Sequence, residues 1–278
     1  MSKAVKMGVN MKQYIVAFAM ALALPTAYGQ PQTDWDQMMS ASGVSEVLEQ
    51  ANVLIDQEIR NLEKAPLGFS TEDLQQMNQT FRERLGSERL KQDIMERLET
   101  ELSSQEAQRL KSVLRSRELQ KLNELQGQLA DAQVRKEMRS YRVKIKENSP
   151  NLSRMELLGA LDDTLQQSSM ETELKVELRK QLLATVSHIK TNEVFSEDML
   201  DAQLQDYRKE VEGEISENAL HAYLYLLKRT PSSQVRDLLV TLDEPAFNEF
   251  MRICMEAMQA SFLEARQQLQ NELRIAGN

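Results

Sequence analysis

Apolar residues recur along this chain with the three-to-four-residue spacing of one helix face. Val44, Val47, Leu48, Ala51, Ile55, Ile59 and Leu62 form the first such stripe, and Pro66-Leu67-Gly68 closes it. Leu74, Met77 and Phe81 lead to a stop at Gly86, and Leu90, Ile94 and Leu98 follow. Leu110, Val113 and Leu114 make another stripe, then Val134, Met138, Tyr141 and Ile145. Asn148-Ser149-Pro150 is the clearest mid-chain break, since proline disfavours helical backbone just before it. Beyond it come Leu157, Leu158, Leu161 and Leu165, then Leu174, Leu178, Leu182, Val186 and Ile189. The pattern further predicts helices over 199–211 and 217–229, the latter starting at Ser216, and a long one over 245–273.

Start signals agree with these stripes. Ser70, Ser103, Ser153 and Ser168 are each followed three residues later by an acid, the spacing of a capping box. No run alternates with the period of two that a half-buried strand needs. The expectation is an all-α fold, a bundle or stacked-hairpin array with a core of Leu, Ile, Val and Met.

Sliding the chain against itself by 113 residues brings 98–139 onto 211–252 with eight of 42 positions identical. Glu99, Glu101, Ser103, Leu114, Leu125, Leu129, Met138 and Arg139 fall on Glu212, Glu214, Ser216, Leu227, Leu238, Leu242, Met251 and Arg252. The reading is two tandem, related helical modules, 30–149 and 150–278. In it 104–116 matches 217–229, and 133–146 matches 246–259.

Residues 1–29 read differently. Lys3, Lys6 and Lys12 precede an apolar run from Ile15 to Leu24, and Ala27-Tyr28-Gly29 offers small residues for cleavage. The run is shorter than the about 20 residues that span a bilayer, so the segment reads as an export signal. A soluble periplasmic protein starting near Gln30 is expected, with no membrane span in the mature chain. Removing the three lysines from 34 basic and 43 acidic side chains leaves a net charge of −12. That balance argues against nucleic acid, whose phosphates need a basic face. The single cysteine, Cys254, lies among Phe250, Met251, Met255 and Met258 and reads as a buried, inert thiol.

The stretch 215–234 holds one of two histidines and two of six tyrosines. Ile215-Ser216 followed by Thr230-Pro231-Ser232-Ser233-Gln234 resembles the bacterial family known as domain of unknown function 2059. That family's signature is an aromatic-Thr/Ser helix start, an aromatic pair, Ser/Thr-Pro and Gly-Gln-Lys. Leu227-Lys228 stand here for the aromatic pair, Ser233 for the glycine and Val235 for the lysine. The resemblance covers the C-terminal part and implies an exported all-α protein, with no activity attached.

On a helical wheel Leu220, Tyr223, Leu224 and Leu227 form a core face. His221, Tyr225 and Arg229 fall along the opposite side, as a polar outer face or a small patch for a partner protein. Ser187-His188-Ile189-Lys190 fits Ser-x-x-Lys, but the companion Ser-Asp-Asn and Lys-Thr-Gly motifs are missing. His188 suits a helix C-terminus. Two histidines 33 apart, and Asp162 and Asp163 diverging by 100° as helix neighbours, make poor metal sites. No cofactor and no catalytic residue is expected. The reading is a non-enzymatic adaptor or chaperone-like factor for another envelope protein. A carrier of an apolar small molecule between the modules and an enzyme with an unrecognised site are the alternatives.

Overall fold

The computed structural model describes residues 34–148 and 150–276, and residues 1–29, for which the sequence raises the expectation of an export signal, lie outside them. The described residues form helices and no strand. In chain order they are α1 (Asp34–Ser42), α2 (Val44–Lys64), α3 (Thr71–Leu85), α4 (Ser87–Glu101), α5 (Ser104–Leu114) and α6 (Arg117–Gly127). A 3-10 turn (Gln128–Ala130) leads to α7 (Ala132–Glu147). After the Asn148–Pro150 break come α8 (Leu152–Leu165), α9 (Gln167–Thr191), α10 (Glu197–Leu226), α11 (Ser232–Leu242) and α12 (Pro245–Ala276). None of the described helices is long and apolar enough to cross a membrane.

Two of the four capping boxes form. The Ser70 hydroxyl accepts from the Asp73 amide and Ser103 from that of Glu106, and each acid reaches back to its serine's N–H. The other two do not. Asn151 caps α8 by accepting from the Ser153 amide, so Ser153 is already helical. At α9 the left-handed Gln166 (φ 55°) makes the corner, and the Ser168 hydroxyl donates to Asp162 Oδ1 instead. Ser216 starts no helix either. The expected segments 199–211 and 217–229 are joined in one 30-residue helix, α10, in which Gly213, the candidate stop between them, keeps helical backbone.

The first stripe is buried as predicted, with Val44, Leu48, Ala51 and Ile55 fully enclosed. One hydrophobic cluster runs from Met38 to Leu269 and is continuous across the mid-chain break. At its centre α9 packs on α2, α8, α10 and α12, while α12 also lies along α4. Cys254 is buried there, and burial pushes its thiol pKa up, in keeping with an inert side chain.

The two left-handed corners touch. Gly43 (φ 82°) joins α1 to α2, and a Cβ there would meet the Gln167 side chain at 2.0 Å. Gln167 Nε2 donates to Ser42 O (2.9 Å), and Gln126 Nε2 donates to Gln167 Oε1 (3.4 Å). Buried amides thus tie α6 to both corners.

A buried ionic group fastens α9, α10 and α12. Arg266 forks onto Glu197 with two contacts of 2.8 Å and approaches Glu177 at 2.7 Å. Lys180 meets Glu177 at 2.9 Å and Asp201 at 2.6 Å. Arg266, Glu177 and Lys180 are all buried, so each charge depends on its partners for the solvation it has lost.

Helices α6 and α11 face each other. Lys121 Nζ donates to Gln234 Oε1 at 3.1 Å, two residues 113 apart in sequence. The hollow beside them is lined by Leu122 and Leu125 from one helix and Val235 and Leu238 from the other, pairs with the same separation.

Candidate functional site: the α7–α10 cleft

Helix α7 differs in charge from the acidic chain around it. It carries Arg135, Lys136, Arg139, Arg142, Lys144 and Lys146 against Glu137 and Glu147. Its packing is light. It touches the 3-10 turn and α10, and Ile145 is its one buried residue among those whose side chains are described.

The side of α7 that carries Tyr141 meets the end of α10. Tyr141 and Tyr225 stack edge to face with centroids 5.7 Å apart, and Tyr225 Oη donates to Glu137 Oε2 at 3.0 Å. Lys228 Nζ lies 3.7 Å from the centre of the Tyr225 ring, within cation–π range. A hollow of about 320 Å3 opens here, lined by Lys136, Glu137, Ser140, Tyr141, Lys144 and Lys228 among others. Its charge is mainly basic.

The opposite side of α7 closes a cleft of about 290 Å3, small for a ligand site. The remaining walls are α2, α9 and α10, with Gln126, Leu129 and Asp162 at the edges. Arg135, Arg139 and Arg142 line it, spaced as one helix face. Arg135 Nη1 donates to the carbonyls of Leu129 (2.9 Å) and Ala130 (2.5 Å), and Arg142 reaches Asn218 (2.8 Å) and Glu217 (3.0 Å). Among the described residues Arg139 has no hydrogen-bond or ion-pair partner. Of the acids that line the cleft, Glu171 pairs with Lys175 at 2.7 Å. Asp162 is buried, and burial pushes its pKa up to about 6 although the Ser168 hydroxyl partly stabilises its charge.

The predicted patch of His221, Tyr225 and Arg229 does not form. Tyr225 is buried at 7% exposure in a small cluster with Leu129 and Leu226, where α7 packs against it. Arg229 lies in the turn beyond the end of α10 and is exposed. His221 lines the cleft, 3.7 Å from Glu217. The wheel gave this helix a single buried face. It has two, because Tyr223, Leu224 and Leu227 enter the main core while α7 covers Tyr225 and Leu226. The cleft residues gave no sequence signal, since they come from elements up to about 180 residues apart, Val47 to Leu226. Among them Arg135, Met138, Arg139 and Arg142 lie close together in sequence with the spacing of one helix face.

Elsewhere, Lys190 of the Ser-x-x-Lys stretch lies 4.0 Å over the Phe69 ring, engaged away from Ser187. His188 sits buried in the last turn of α9. Asp162 and Asp163 diverge, one buried and one exposed, and the described residues hold no cluster fit for a metal ion. No family model matches the chain, and neither does any curated protein or solved structure. The fold defines an all-α helical protein with a basic helix beside a cleft.

Proposed function

We propose that this is an exported, non-enzymatic adaptor that binds an acidic segment of another envelope protein through α7 and its neighbour Lys228. One observation carries the reading. A chain whose composition is strongly acidic gathers six cations and two acids on a single, lightly packed helix. Complementary charge raises the rate of encounter and selects partners. The Tyr141–Tyr225 pair supplies a rigid base for Lys136, Lys144 and Lys228. Tyr225 therefore serves as a support and not, as its sequence position suggests, as a contact.

The same proposal takes 1–29 as a cleaved signal and the two halves as diverged copies of one module, in line with the resemblance to domain of unknown function 2059. Lys121 and Gln234, which pair across α6 and α11, sit at matching positions of the 113-residue repeat and favour that origin. The test is retention of a partner from envelope extract by the wild type and by a Lys136→Glu/Lys144→Glu/Lys228→Glu variant. A protein held at low salt by the wild type and lost by the variant, with melting unchanged, is the expected result. Identical partners on both would refute the assignment.

A further inference from the structure

The cleft on the arginine side of α7 has features of its own. Its apolar surface comes from Leu54, Met138, Ala219, Ala222 and Leu226, with Val53 at 49% exposure near its rim. Ala219 and Ala222 lie one turn apart on α10, and their small side chains leave the space between α7 and α10 open. Above this surface stand the three arginines. Arg135 and Arg142 are held by carbonyls, Asn218 and Glu217, while Arg139 between them has no partner among the described residues. Arg139 is exposed, and its donors are uncommitted and able to take an oxyanion through charge-assisted hydrogen bonds.

We propose that this cleft binds a small amphipathic monoanion, its apolar chain against Leu54, Met138, Ala222 and Leu226 and its oxyanion head on Arg139. The cations that line the cleft, Arg135, Arg139, Arg142 and Lys175, outnumber its acids, Asp162, Glu171 and Glu214. Of these acids Glu171 is paired with Lys175, and Asp162 accepts a hydrogen bond from Ser168. The site is separate from the lysine face, so either can exist without the other. A free carboxylate and a phosphate-headed lipid fragment share the chemistry that Arg139 recognises.

Decanoate, decyl phosphate and the neutral decyl glucoside share one tail and separate the contributions. Titration calorimetry on the purified protein, below the micelle threshold of each ligand, reads them directly. Saturable binding of one anion per chain is expected, with the glucoside weaker by about tenfold or more, the scale of one charge-assisted hydrogen bond. The tighter of the two anions names the source. Arg139→Glu should weaken decanoate and decyl phosphate by about tenfold or more and leave the glucoside unchanged. Ala222→Trp should fill the cleft and abolish binding of all three, and Ala219→Leu does the same if the tryptophan variant fails to fold. Equal affinity for charged and neutral heads, Arg139→Glu binding like the wild type, or no saturable binding of either anion would each overturn the proposal.

Discussion

Helices α7 and α12 begin 113 residues apart and carry the same stripe, yet they live in different surroundings. Val134, Met138, Tyr141 and Ile145 on α7 correspond to Phe247, Met251, Cys254 and Met258 on α12. All four on α12 are buried to 1% or less, whereas on α7 only Ile145 is buried, at 8%. The shared arginine diverges too. Arg252 on α12 meets Glu249 at 2.6 Å, Glu256 at 2.7 Å and Glu101 at 3.5 Å, while Arg139 on α7 stands free of partners among the described residues. On α7 the positions of Glu249 and Glu256 are Lys136 and Val143. One stripe can therefore make a core helix or a covering one. Which it becomes depends on the residues flanking the stripe and on how many neighbours enclose it.

The contrast is sharpest where α12 is fastened. Arg266→Met removes one of two cations from a buried ion group and leaves Lys180 alone to face Glu177 and Glu197, a loss of about 3 kcal/mol by chemical denaturation. A small loss there would mean that the charges are solvated and that α12 is held by apolar packing alone. The matched methionines make the direct comparison. Met251→Ala should cost about 2–5 kcal/mol and Met138→Ala about 1 kcal/mol or less, because only the first leaves an enclosed cavity. Similar losses at both sites would erase the distinction between the helices.

Asp162, at the edge of the cleft, adds a pH dependence. Its ordinary value of 3.8 is raised to about 6 in the folded protein, so the folded state holds this proton more firmly than the unfolded one. Stability from this group is therefore lost as pH rises from about 4 to about 6 and stays lost above. Asp162→Asn should be more stable than the wild type by on the order of 2–3 kcal/mol at pH 7.5, with the gap closing near pH 4. Melting curves at the two pH values check it, and a gap that widens in acid would reverse the sign. The smallest effect is expected at Arg139→Glu, within about 0.5 kcal/mol of the wild type in the same melts.

Much of the architecture was legible because periodicity reports which face a helix buries. The stripe from Val44 to Leu62 and the caps at Ser70 and Ser103 stand where the pattern puts them. The failures share a cause. Ser153, Ser168 and Ser216 satisfy a four-residue pattern, but Asn151, the left-handed Gln166 and the uninterrupted α10 decide those places. Ile189 continues a stripe in sequence yet is 46% exposed, while His188 beside it takes the buried side of that last turn. Tyr225 was read as a surface residue because a wheel shows a helix's own faces and not what covers them. The cleft was invisible for the same reason. Its walls come from six helices and the 3-10 turn, and no local pattern encodes their meeting.

A lightly held α7 beside a firmly packed core is what both proposed binding surfaces require. Native-state hydrogen exchange tests this most directly, since it reads opening free energy helix by helix. Amides of α7 should exchange through low-energy local openings while those of α12 over 247–258 approach the global limit. Decanoate should then slow exchange in α7 and in the 214–226 part of α10. Equal protection of α7 and α12 without ligand, or protection by decanoate that appears elsewhere, would contradict it.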